Sequence, residues 1–247
     1  DYKMFLENLD YNILNEIKEK LIVSSHTFEH VSNPVKLIKE LSFLLAENEM
    51  LIIQLPSIEK MVEFSKYDQL CHQHLNYFSK KSLYKVFSSF GLEIKSCEYD
   101  EGHFGTIRVA AIKKSLDYIK FNNIESISLN DIKQSYKQFK DYMFIIDENI
   151  KSSDGMSGFG AGLMVPVLSY FLPSLKLLKC IYDENDFKQG KRFINLNVPI
   201  KAIPDDNDFS SQNILLTSVT TKSAARAILN KLVNLNTKNI LCPVMYL

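Results

Sequence analysis

The sequence predicts an α/β protein built as two successive units, each a sheet of parallel or mostly parallel strands flanked by helices. Two observations carry this expectation. A strand, helix and strand follow one another directly from residue 20, and the same alternation restarts after a glycine-rich turn near residue 155. With 247 residues and 46% hydrophobic side chains, the chain also has enough apolar material for well-buried cores, which excludes a disordered chain.

The elements follow in order. Leu21–Ile22–Val23–Ser24–Ser25 is a short apolar strand that ends in the polar run His26–Thr27–Phe28–Glu29–His30. Asn33–Pro34 reads as an N-cap with proline at the first helical position, and Leu37, Ile38, Leu41, Leu44 and Leu45 then recur at the spacing of one buried helical face. A second strand runs over Met50–Leu55 and stops at Pro56. Pairing it in parallel with the first requires a right-handed crossover. After a polar, aromatic-rich stretch from Ser57 to Phe78, Ser79 caps a helix with Leu83, Val86, Phe87 and Phe90 on one side and Gly91 as its left-handed stop. Leu92–Tyr99 and Thr106–Ile112 are strands joined so briefly that they must be antiparallel neighbours.

Residues 115–151 contain neither glycine nor proline and read as helical. The second unit opens on Ser152–Gly162, with an apolar helix after Gly158–Phe159–Gly160–Ala161–Gly162. Strands are expected over Leu175–Tyr182, at Ile214–Leu215–Leu216 and near Ile240–Leu241–Cys242, with a helix over Ser223–Val233.

Composition narrows the function. The 29 Lys+Arg balance 29 Asp+Glu, so no net charge draws the chain to phosphate backbones or anionic lipid, and neither nucleic acid nor a membrane is expected as a partner. Apolar runs fall short of the roughly 20 residues of a membrane span. Cys71, Cys97, Cys180 and Cys242 are scattered without CxxC pairing, which argues against a disulfide framework and for a reducing cytoplasm.

Four segments carry candidate chemistry. His26–His30 lies at the carboxyl end of a parallel strand, where open α/β sheets bind ligands; it reads equally as an ordinary strand-to-helix loop. Cys71–His72–Gln73–His74–Leu75–Asn76–Tyr77 is dense in groups that take protons or hydrogen bonds, and a histidine accepts a proton near neutral pH. His72 and His74 share a face if extended, yet no HExxH or CxxC accompanies them, so no metal is expected. Gly158–Gly162 with Asp183 beyond it has the outline of a dinucleotide turn, but Leu163 stands where the third glycine or alanine belongs. His103–Phe104–Gly105–Thr106–Ile107–Arg108 offers a histidine and an arginine at a strand entrance, suited to a phosphate or carboxylate or simply to solvent.

Taken in order, these pieces resemble the S-adenosylmethionine-dependent sugar C-methyltransferases that act on nucleotide-linked keto-deoxysugars. LIVSSHTFEHVSNPVKLIKEL is similar to the fourth strand and following helix of a class I methyltransferase. CHQHLNYFS at 71–79 is similar to the family signature Y-H-E-H-x-x-Y-F-S, and HFGTIR at 103–108 to H-G-G-S-L-R. GFGAG, YDEN, KQGKRF and VPI resemble segments of the family's second, Rossmann-like domain. The resemblance implies a partial class I methyltransferase (Rossmann-like) sheet over residues 1–114, a helical linker over 115–151 and a smaller Rossmann-like domain over 152–247.

It also implies roles. His74 stands at the position of the general base, with Cys71, His72, Gln73 and His103 around the same cleft. Tyr77 and Arg108 fall on the substrate side, and Ser25 and His26 on the rim of the S-adenosylmethionine site. The substrate implied is a nucleotide-linked sugar. A carbon beside a ketone becomes nucleophilic only as an enolate, so a base must remove the α-proton while donors stabilise the oxyanion.

The chain departs from the signature at Cys71 and Gln73, where the family has Tyr and Glu; a thiol and a neutral amide are poorer replacements for a phenol donor and a carboxylate. The resemblance further implies that the glycine-rich cofactor turn and a cysteine-rich module precede residue 1. The competing reading is a catalytically degenerate relative, a nucleotide-sugar-binding or scaffold protein without cofactor binding.

Overall fold

The computed structural model describes residues 19–100, 105–115, 124–162, 164–204, 208–218 and 222–243. The chain divides into two compact units, one of residues up to 61 together with 72–129, the other of residues 62–71 together with 130–247.

In the first unit β1 (Leu21–Ser25) and β2 (Met50–Pro56) pair in parallel, with Leu21 opposite Met50 and Ser25 opposite Gln54. Between them runs α1 (Pro34–Leu44), started by Asn33, whose side chain accepts from the Lys36 N–H at 2.9 Å. Then come α2 (Ile58–Glu63), α3 (Lys80–Ser89) and the antiparallel strands β3 (Leu92–Asp100) and β4 (Thr106–Lys113). The sheet order is β1-β2-β4-β3. Ser79 and Ser82 form a reciprocal capping box at the start of α3. Gly91, at φ +72°, ends the helix where a Cβ would lie 2.7 Å from the Lys114 carbonyl. The core is the layer between one sheet face and the helices: Leu51, Ile53, Leu55, Ile107 and Val109 pack against Ile38, Leu41, Leu83 and Phe87.

The second unit is a parallel sheet of order β7-β6-β5-β8-β9, built from β5 (Met156–Phe159), β6 (Ile181–Tyr182), β7 (Ile200–Lys201), β8 (Asn213–Leu216) and β9 (Asn239–Leu241). The first strand is central and the chain winds outward on both sides of it, the doubly wound Rossmann order. Helices α4 (Leu129–Ser152), α5 (Val165–Phe171) and α6 (Lys222–Asn234) accompany it. Phe159, Phe209, Ile214, Leu232 and Leu235 form one core cluster. Tyr67, from the inserted segment, packs edge-on against Tyr136 at 5.1 Å and donates from its hydroxyl to the Ile132 carbonyl at 3.0 Å.

Several elements differ from expectation. The strand expected over Leu175–Tyr182 is only Ile181–Tyr182, because Pro173 starts a 3₁₀ turn, Pro173–Leu177, that buries Leu175 instead. Met156–Phe159, preceded by a run that reads as a poor strand, is buried at all four positions. The helix expected from 115 begins at Leu129: Ile124–Ser128 has no regular structure, consistent with its β-branched and serine content, and 116–123 lie outside the described residues. Strand β7 and helix α2 are too short to leave a periodic signal. No helix among the described residues is long and apolar enough to cross a membrane.

Candidate functional site

The carboxyl end of β1 builds the site. His26 carries the ladder one step further, donating its N–H to the Gln54 carbonyl at 2.8 Å, but at φ +50° it turns the chain out of the sheet. That left-handed conformation is uncommon outside glycine. Residues 28–30 then form a turn closed by the His30 N–H on the Thr27 carbonyl at 3.0 Å. Phe28 anchors it in the core, and Glu29 follows inward, its side chain only 1% exposed.

A second segment is fastened onto this turn through backbone atoms. The N–H groups of Leu75 and Asn76 both donate to the Glu29 carbonyl, at 2.7 and 3.1 Å, and the Asn76 side-chain amide donates to the Val31 carbonyl at 2.7 Å. His30 Nδ1 lies 2.8 Å from the Gln73 carbonyl oxygen. These bonds bring the rings of His30 and His74 to 5.0 Å between centroids, nearly edge to face, with Tyr77 6.4 Å beyond His74. Glu29 Oε1 is 3.2 Å from His26 Nδ1 and 3.9 Å from His30 Nε2. Glu29, His30 and His74 each offer a ligating atom, all within 4.8 Å of one another. A buried carboxylate beside imidazole rings can orient them through hydrogen bonds and ion pairs.

The sequence-expected residues divide accordingly. His26, His74 and Tyr77 belong to this cluster. Gln73 enters through its backbone carbonyl, while its side chain and that of His72 are exposed. Cys71 is a half-buried free thiol that falls in the other compact unit. Ser25 is exposed at the end of β1. Arg108 lies in register with Gln54, and so with Ser25, on the exposed sheet face, 4.0 Å from Glu98 in a surface ion pair of little energetic weight. His103 lies outside the described residues. Glu29 and His30, quoted within the polar run but assigned no role, are the site residues that sequence reasoning missed. Their signal was an acid followed by a histidine just past the carboxyl end of a parallel strand.

In the second unit the glycine turn is filled by protein. A Cβ on Gly160, at φ +93°, would lie 2.4 Å from Ser218 Oγ. Asp183 accepts from the Ala161 N–H at 2.7 Å, from the Asn185 N–H at 2.9 Å and from Lys188 Nζ at 3.2 Å. Burial alone would raise its carboxyl, but these donors outweigh it and hold the group below the ordinary carboxylate range. The acid thus closes its own loop.

Residues 15–96 match a family model described as a methyltransferase domain. Among curated proteins, the C-methyltransferase NovU of Streptomyces niveus is 26% identical over 99 residues, 40% of this chain and 24% of the relative. Both likenesses are to methyltransferases and fall on part of the chain. The match thus spans about a quarter of that relative's length.

Solved structures similar to part of the chain include an S-adenosylmethionine-dependent methyltransferase, possibly a histamine N-methyltransferase, from Thermotoga maritima. Its TM-score is 0.33 at 17% identity, over 41% of this chain and 61% of that one. Another is magnesium protoporphyrin IX methyltransferase from Synechocystis PCC 6803 with bound SAH, with a TM-score of 0.32 at 14% identity, over 41% and 48%. At these scores the likenesses carry no argument, and the fold rests on the strand order above.

Proposed function

We propose that the protein takes part in S-adenosylmethionine-dependent methyl transfer to a carbon of a nucleotide-linked ketodeoxysugar, with His74 as the base that forms the enolate. The observation that carries this reading is the placement of His74 against His30 and the buried Glu29 at the carboxyl end of β1. Abstraction of an α-proton leaves an imidazolium on His74, and a carboxylate within reach lowers the energy of that charge. Glu29 offers the negative charge that Gln73 lacks. Tyr77, beside His74, presents a phenol for the substrate oxygen, a task for which Cys71 is poorly equipped. Ser25 and His26, at the end of β1, are the groups that would meet the cofactor, whose sulfonium supplies an electrophilic methyl. His103 and Arg108 are assigned to the substrate side on the strength of the resemblance alone.

We place the protein in the cytoplasm, where scattered cysteines without CxxC pairing stay reduced; burial pushes the Cys97 thiol up to about 11, which keeps it protonated and unreactive. The test is methyl transfer to a nucleotide-linked ketodeoxysugar by the full protein, read by mass, together with solvent deuterium exchange at the α-carbon. His74→Ala is expected to lower both by roughly 10²–10⁴-fold with unchanged circular dichroism. Retained exchange in a folded His74→Ala protein rules out the base assignment. A full-length protein that binds the nucleotide sugar but not S-adenosylmethionine supports the degenerate relative.

A further inference from the structure

We infer that Glu29, His30 and His74 form a binding site for one divalent first-row transition-metal ion of the zinc class. Three observations converge. First, the orientation of His30 is set from outside the cluster. A carbonyl oxygen only accepts, so the 2.8 Å contact with Gln73 puts the ring proton on Nδ1 and leaves the lone pair on Nε2. A backbone carbonyl holding the distal N–H is the outer-shell partner that metal-bound histidines ordinarily have; it fixes the tautomer and the ring plane.

Second, the nitrogen so exposed looks at a carboxylate. His30 Nε2 and Glu29 Oε1 are 3.9 Å apart. That is too long for a hydrogen bond, and a lone pair facing an anion is a repulsion that a cation between the two would relieve. Two donors on one tetrahedral zinc, with bonds of about 2.0–2.1 Å, stand roughly 3.3 Å apart, so a small side-chain rotation suffices.

Third, only one oxygen of the carboxylate is satisfied by protein, Oε1 through His26 Nδ1 at 3.2 Å. Glu29 is almost wholly buried, and its Oε2 has no hydrogen-bond partner among the described residues. A buried carboxylate oxygen left this way costs free energy and calls for an ion or a donor. His74 supplies the third ligand, with all three ligating atoms within 4.8 Å. Burial runs from the inaccessible Glu29 through the half-buried His74 to the exposed His30, so the set is closed at the base and open to solvent on one side. Two histidines and one glutamate leave at least one coordination position for water or a ligand oxygen, the arrangement of metal sites that act on ligands rather than of closed structural ones.

The inference does not rest on methyl transfer, since binding is read without substrate; a His74 that holds the ion has no lone pair for a substrate proton, so the metal-bound form is distinct from the form that acts as a base. Chelator-treated full-length protein is titrated with Zn²⁺ by calorimetry and with Co²⁺ by visible absorption. One equivalent is expected to bind, with d–d bands of a four- or five-coordinate ion and no thiolate charge-transfer band. Glu29→Gln, which keeps the side-chain shape, and His30→Ala, at an exposed ring, are each expected to weaken binding by about 100-fold. His72→Ala, the exposed neighbouring histidine, is expected to bind as the parent does. Circular dichroism confirms the fold of each variant, and His30→Ala carries the test if Glu29→Gln is unstable. Absence of saturable binding overturns the inference. A thiolate band, or binding lost in His72→Ala but kept in His30→Ala, overturns it as well.

Discussion

At the residue scale two of the buried carboxylates, Asp183 and Glu29, are used in opposite ways. Asp183 is saturated: two backbone N–H groups and Lys188 converge on it, and the carboxyl is held low although burial opposes ionisation. A depressed folded value means that its contribution to stability is present above the unfolded value of about 3.9 and is lost as pH falls through the lower folded value. Acid melts of the parent should therefore steepen below about pH 4 relative to Asp183→Asn, which has no such proton to take up. Asp183→Ala strips three bonds from one site and leaves the buried Ala161 N–H unpaired, so a loss of about 3 kcal/mol is expected in urea denaturation. Glu29 keeps one oxygen unsatisfied, an arrangement a protein tolerates where a ligand or a proton is handled.

At the element scale, helix ends and turns carry local instructions that survive into the fold. Asn33 and Ser79 start their helices where expected, and Gly91 stops the second. Ser79→Ala removes one half of a reciprocal capping box and should cost about 1 kcal/mol in thermal unfolding. Gly160→Ala is expected to cost more, about 2 kcal/mol, because the residue sits at φ +93° and its new methyl would meet Ser218. The elements that escaped the sequence have physical reasons to do so. Strands of two residues such as β6 and β7 are stabilised by their neighbours in the sheet, not by their own periodicity. The 3₁₀ turn at Pro173 takes up Leu175, the first residue of the apolar run that reads as a strand.

At the scale of the whole molecule, each unit has its own sheet and its own core. Leu51 and Leu215 are fully buried in the first and second, respectively. Truncation of either to alanine should cost about 2–5 kcal/mol. Hydrogen exchange is the measurement that checks where: Leu51→Ala should lose protection in β2 and β4, and Leu215→Ala in β5, β8 and β9.

The sequence by itself determined the α/β class, the parallel pair β1 and β2, the antiparallel pair β3 and β4, the caps of α1 and α3, and the position of His26–His30 past a strand end. All of these follow from periodicity and from residues acting on their near neighbours. Only the tertiary structure decided that His74 belongs with Glu29 and His30. The bonds that join them end on backbone carbonyls, that of Glu29 for the Leu75 and Asn76 N–H groups and that of Gln73 for the His30 ring 43 residues away, and a backbone carbonyl carries no side-chain signature for a sequence to display. The outward winding of the second sheet, and the closing of its glycine turn by Asp183 and Ser218, were decided in the same way, by packing between distant strands.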